Sequence, residues 1–198
     1  MFSLEASLPA ELAPLSWLLG VWEGTGVVHY RDGDTVCEHE FGQRVSFSHD
    51  GLHYLNYTST TWLLDAEQTP LNAEAGYWRL HRPAQAGDPG PALLPGVGER
   101  PYATSEAVES LRTSRDDFEI EVALIHPTGI SELYLGRVKG PRIDLQTDAV
   151  MRSASAKEYS AATRMYGLVD GRLLWAWDIA ALGNDLRTHA SGTLGRQE

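Results

Sequence analysis

A single cysteine, Cys37, stands among 198 residues, which excludes an internal disulfide and any zinc site built from several thiolates. That usage fits a reducing compartment. Lysine is almost as scarce: only Lys139 and Lys157 occur, and the formal net charge is −11. Such a surface repels a phosphate backbone and the anionic face of a membrane. No run of about 18 apolar residues appears, so no membrane-spanning helix is expected. The opening stretch from Met1 to Ala13 has two acidic residues, no Lys or Arg and no continuous apolar core, and so lacks each requirement of a secretory signal. The expectation is a cytoplasmic protein without nucleic-acid or membrane partners, with monomer and homodimer both open.

Hydrophobic residues make up 42% and charged residues 22% of the chain, proportions of a folded domain rather than a disordered one. Its length suits one domain, 1–198. Helical patterning is nearly absent. The apolar stretch from Leu12 to Leu19 ends at Gly20 and predicts one short helix that plugs a barrel end. After it come about ten segments rich in β-branched and aromatic residues, bounded by turn signals. They run Thr25 to Tyr30, Thr35 to Phe47, Leu55 to Leu64, Glu74 to Leu80, Asp117 to His126, Ile130 to Val138, Arg142 to Asp148, Tyr159 to Leu168, Arg172 to Ile179 and Arg187 to Leu194.

Two segments alternate plainly. Phe118, Ile120, Val122 and Leu124 share one face against Glu119 and Glu121, and Leu173, Trp175, Trp177 and Ile179 lie opposite Asp178. Asp170 and Gly171 form a hairpin signal between two such runs. A succession of neighbouring antiparallel strands is best closed into an all-β, up-and-down barrel, because closure removes exposed edges. About ten strands leave more room inside than the eight that hold one small ligand, so a cavity is expected. The Pro- and Gly-rich stretch from Pro83 to Pro101 has no periodicity and reads as a flexible insertion without chemistry.

Gly20, Val21, Trp22, Glu23, Gly24, Thr25, Gly26 form a G-x-W-x-G-x-G motif. A dinucleotide loop leads from strand to helix, whereas these glycines lead from helix to strand, so the motif reads as a close turn with Trp22 closing the barrel floor. His29, Cys37 and His39 lack a fourth ligand for a zinc site. His49, His53 and His126 look like turn or rim residues. No G-x-S-x-G elbow supports a hydrolase. His189 remains, flanked by the small residues Ala190, Ser191 and Gly192. A neutral imidazole there is a candidate iron ligand with space for a macrocycle, against the bland reading of a surface histidine. By strict alternation an inward His189 brings Ser191 and Thr193 inward too.

Several segments together resemble the nitrobindin family, whose bacterial members are also called fatty-acid-binding-protein-like proteins or peroxynitrite isomerases. The resemblance rests on Gly20 to Gly26, on Phe47 to Gly51, on Gly76 to Arg79, on His126 to Gly129, on Ser155 to Glu158, on Arg164 to Tyr166, and on Asp178 to Leu194. It implies a ten-stranded antiparallel, lipocalin-like barrel that binds haem b with His189 as sole axial ligand. It also implies an open iron position for nitric oxide or peroxynitrite and isomerisation of the latter to nitrate. Lys157 is then a candidate partner for a haem propionate, and Tyr30, His29 and Thr35 are candidates for the distal wall. Two departures stand out: Ala190 and Gly192 replace larger residues, and Arg31, Asp32, Gly33, Asp34 replace the family's distal turn after Tyr30. The competing reading is a non-enzymatic carrier of a fatty acid or other apolar ligand in the same cavity.

Overall fold

Alternating burial along each segment is what turns this sequence into a sheet with one dry face. In β5 (Phe118–His126), Phe118, Ile120, Val122 and Leu124 are buried while Glu119 and Ala123 face out. The computed structural model describes residues 8–32, 35–181, 183 and 185–198. Its strands are β1 (Gly20–Asp32), β2 (Thr35–Ser48), β3 (Tyr54–Leu63), β4 (Pro70–Leu80), β5, β6 (Ile130–Lys139), β7 (Arg142–Arg152), β8 (Tyr159–Val169), β9 (Arg172–Ala181) and β10 (Arg187–Arg196). Each pairs antiparallel with its successor, and β1 pairs with β10, so the barrel is closed.

Local chemistry fixes the register. Val169 pairs with Arg172 across Asp170 and Gly171, both at positive φ (50° and 73°). This is the type I′ geometry whose twist matches that of the flanking strands. Several strands exceed the sequence expectation. β1 begins at Gly20 rather than Thr25, β4 at Pro70 rather than Glu74, and β7 extends to Arg152 rather than Asp148. Ladder partners on neighbouring strands carry the extended backbone through these stretches.

The N-terminal helix is a 3-10 helix, Ala10–Leu18, with Pro14 inside it. Proline has no N–H to continue an α-helical ladder. Leu12, Leu15 and Leu18 are fully buried against Trp22, Phe47, Leu55 and Trp78, each worth about 1.5–3 kcal/mol relative to exposure. The helix therefore plugs the end of the barrel where β1 begins, leaving the Tyr30 end for a cavity. Trp22 completes this floor by donating its indole N–H to the Leu18 carbonyl at 2.7 Å.

The connection between β4 and β5 also carries a short helix, α1 (Ser105–Glu109), capped by the Thr104 hydroxyl accepting from the Ala107 N–H at 3.2 Å. Within the same connection, Asp88 is tied to Arg82, which also grips Glu11 of the N-terminal helix. Among the described residues no helix is long and apolar enough to cross a membrane.

Candidate functional site

A cavity of about 430 Å3 opens at the Tyr30 end. Its upper wall is apolar, with Val28, Phe41, Leu63, Leu71 and Trp175, and its inner end is closed by Tyr57, Glu74, Arg164 and Tyr166. Tyr30 and Leu71, on the wall, are 39% and 47% exposed, so the cavity reaches solvent.

His189 lies on this wall beside Ala190. Consecutive residues of a regular strand point to opposite faces, but β10 bulges between Thr188 and Ala190. The bulge resets the alternation, so Ala190 and Leu194 are buried while Ser191 and Thr193 face out. The expectation that an inward His189 brings Ser191 and Thr193 with it is thereby overturned, because a bulge adds one residue to the strand and re-aims its neighbours.

His189 Nδ1 lies 3.2 Å from the His29 carbonyl oxygen. A carbonyl only accepts, so Nδ1 carries the proton and Nε2 keeps its lone pair. Burial, the dominant influence, holds the imidazole below its ordinary pKa, outweighing the opposing hydrogen bond to His29. The ring is thus neutral at neutral pH. A neutral imidazole with its second nitrogen bound to a carbonyl, on the apolar wall of an open cavity, fits a haem iron.

Tyr30 also reaches the mouth, with its hydroxyl 3.0 Å from His39 Nε2 and the two rings 5.7 Å apart. His29 faces Glu38 instead, at 3.2 Å. Thr35 and Lys157 are both exposed and stand outside the cavity wall. Gly33 and Asp34 of the substituted turn lie outside the described residues. Among the described residues no group of three or more His, Cys, Asp or Glu side chains is placed to hold a metal ion.

Sequence reasoning missed a charged network at the inner end. The Arg164 guanidinium grips both oxygens of Glu74, at 2.8 and 2.9 Å, and its Nε donates to the Tyr134 hydroxyl at 3.0 Å. Tyr57 donates to Glu74 at 3.0 Å. His126 is not a rim residue: its side chain is only 5% exposed and donates from Nε2 to Glu132 at 2.7 Å. Register was the available signal, since Glu74 shares a strand face with Trp78 and Leu80, and Arg164 with Ala162 and Tyr166.

A closed ten-stranded barrel that presents the His189 imidazole on the wall of an apolar, solvent-open cavity has the features of a haem-binding barrel. The chain belongs to the THAP4-like, heme-binding beta-barrel domain family, whose sequence profile matches residues 11–196. It is 64% identical to a protein of Leifsonia xyli subsp. xyli named peroxynitrite isomerase, over 100% of both chains. It is 62% identical to a protein of the same name from Clavibacter michiganensis subsp. michiganensis, over 97% of each. Among solved structures it is similar to Rv2717c from M. tuberculosis, with a TM-score of 0.70 and 28% identity, covering 97% of this chain and 100% of that one.

Proposed function

We propose that this chain binds haem b through His189 Nε2 and isomerises peroxynitrite to nitrate. The observation that carries the reading is the His189 imidazole on the cavity wall, proton fixed on Nδ1 by the His29 carbonyl. Full-length relatives named for this activity support it. When bound, ferric haem would be held by His189 and would supply a Lewis acid to the anion.

The remaining work falls to the chain. His189 would hold the group, and the His29 carbonyl orients its ring and strengthens its basicity. Val28, Phe41, Leu63 and Trp175 shed water from the macrocycle's surroundings. The isomerisation moves oxygen within one anion and consumes no proton or electron, so no general base is required of the wall. Tyr30 and His39 flank the mouth as candidate contacts for an entering anion. Assignment of Thr35 and Lys157 to the same site rests on the resemblance alone.

A fatty-acid carrier has less support. Such a ligand needs an unshared donor for its carboxylate, and the Arg164 guanidinium is already committed to Glu74 and Tyr134. The test is rapid mixing of haem-loaded protein with peroxynitrite. Faster decay with a higher nitrate yield is expected, and decay no faster than in buffer overturns the proposal.

A further inference from the structure

The buried polar groups have no part in the chemistry above, yet their chain of contacts ends against His189. Glu132 accepts from the hydroxyls of Tyr134 and Tyr159, at 2.6 and 2.5 Å, and from His126. His126 lies nearly parallel to the Trp177 indole, with ring centroids 6.2 Å apart and planes 16° from alignment. The Arg164 guanidinium sits 4.2 Å from the centre of the Trp177 ring. Trp177 in turn meets the His189 imidazole edge to face, with centroids 5.4 Å apart and an interplanar angle of 85°.

We infer that Trp177 is a positioning residue for the His189 imidazole, with Arg164 and His126 fixing the indole against the barrel interior. The need for it follows from the local backbone. The ladder pairs Thr188 with Asp178 and Ala190 with Trp177, and His189 falls in the bulge between them. Among the described residues its one hydrogen bond runs to the His29 carbonyl, and a single such contact directs Nδ1 without by itself fixing the plane of the ring. A flat indole packed at right angles fixes that plane. Edge-to-face contact is a preferred arrangement of aromatic pairs, and the cation over the ring adds attraction of its own. Ion pairs with Glu74 hold Arg164 itself, so the indole, whose own Nε1 has no hydrogen-bond partner among the described residues, is backed by a charged, hydrogen-bonded network as well as by apolar packing.

The inference deepens the haem-binding reading by naming what holds its ligand, but the ring's orientation is a property of the ligand-free chain and is measurable there. Nitrogen-15 spectra of the ligand-free protein should show His189 as a single Nδ1–H tautomer, retained in Trp177→Phe and mixed in Trp177→Met. Mixed tautomers in the wild type, or a single tautomer surviving in Trp177→Met, overturn the inference. After haem loading, transfer to an excess of apo-globin should be about tenfold faster for Trp177→Met and within about twofold of wild type for Trp177→Phe, the scale on which outer-shell partners act. Equal transfer rates for wild type and Trp177→Met, or a Phe variant as leaky as the Met variant, likewise overturn it. Failure of the haem reading is distinguishable, because haem that binds equally to His189→Ala leaves the tautomer result standing.

Discussion

The carbonyl oxygen of His29 on β1 accepts from Nδ1 of His189 on β10 at 3.2 Å, where the ladder between β9 and β10 skips a residue. The bulge and the hydrogen bond act together: one turns the imidazole onto the cavity wall, and the other leaves Nε2 as its only available base. Neither is a property of His189 alone, since the bulge lies in the β9–β10 ladder and the hydrogen bond crosses the β1–β10 seam that closes the barrel.

Glu74→Gln keeps the shape of the side chain and removes the bidentate carboxylate of Arg164, leaving it Glu132 at 3.5 Å. Arg164 is 5% exposed, and breaking a buried pair by removing one partner costs about 3–5 kcal/mol. A urea melt of the ligand-free variant should show a lower midpoint by that amount of stability. An unchanged midpoint means the pair is worth nothing net to the fold.

Acid should dissolve the same network. Burial by itself raises the Glu74 carboxyl, but the Arg164 guanidinium, His126 and the Tyr57 hydroxyl outweigh it and leave the group below its ordinary value. Glu132 behaves alike: burial raises it, while His126, Arg164 and the two tyrosines lower it further. Folded carboxyls below their unfolded values stabilise the barrel above the ordinary carboxylate range and lose that contribution as pH falls through the depressed folded values. The melting temperature should be level from neutrality to about pH 5 and fall below about pH 4. Glu74→Gln should flatten the acid limb, and an equally steep limb in that variant contradicts the assignment.

Gly24 faces the Thr193 carbonyl so closely that an added Cβ would run into it, with the Leu194 Cα 2.9 Å away. Gly24→Ala should therefore cost about 1–3 kcal/mol, as overpacking does, read as a lower melting temperature. A neutral Gly24→Ala shows that the β1–β10 seam yields.

Arg82 donates from Nε to Glu11 at 2.7 Å and from Nη1 to Asp88 at 2.6 Å. Its hydrogen bonds, the largest influence, bring the Asp88 carboxyl down to about 2. Arg82→Met leaves both carboxylates without their cation and releases the 83–101 stretch from the N-terminal helix. Limited proteolysis followed by mass spectrometry should show faster cleavage within 83–101, and equal cleavage in variant and wild type contradicts the tethering.

The barrel was legible because alternation is local. Phe118 to Leu124 and Leu173 to Ile179 announce their dry faces within a few residues, and Asp170-Gly171 announces its turn. His189 was legible as a candidate only through its small neighbours and the family resemblance. Its orientation was not, since a bulge is decided by the partner strand and leaves no mark in the composition of β10. The Glu74–Arg164 pair spans 90 residues, so neither residue's sequence neighbours announce the pairing, and closure of the barrel brings the two together inside. Strand ends such as Pro70 to Ala73 were missed for a related reason, because pairing with β3 rather than propensity extends them.

The most direct test is an absorption titration of the ligand-free protein with hemin, set beside the same titration of His189→Ala. A Soret band saturating at one haem per chain is expected for the wild type, with a shifted and far weaker complex in the variant. Absence of a Soret shift in the wild type, or identical spectra and saturation in the two proteins, would contradict ligation by His189.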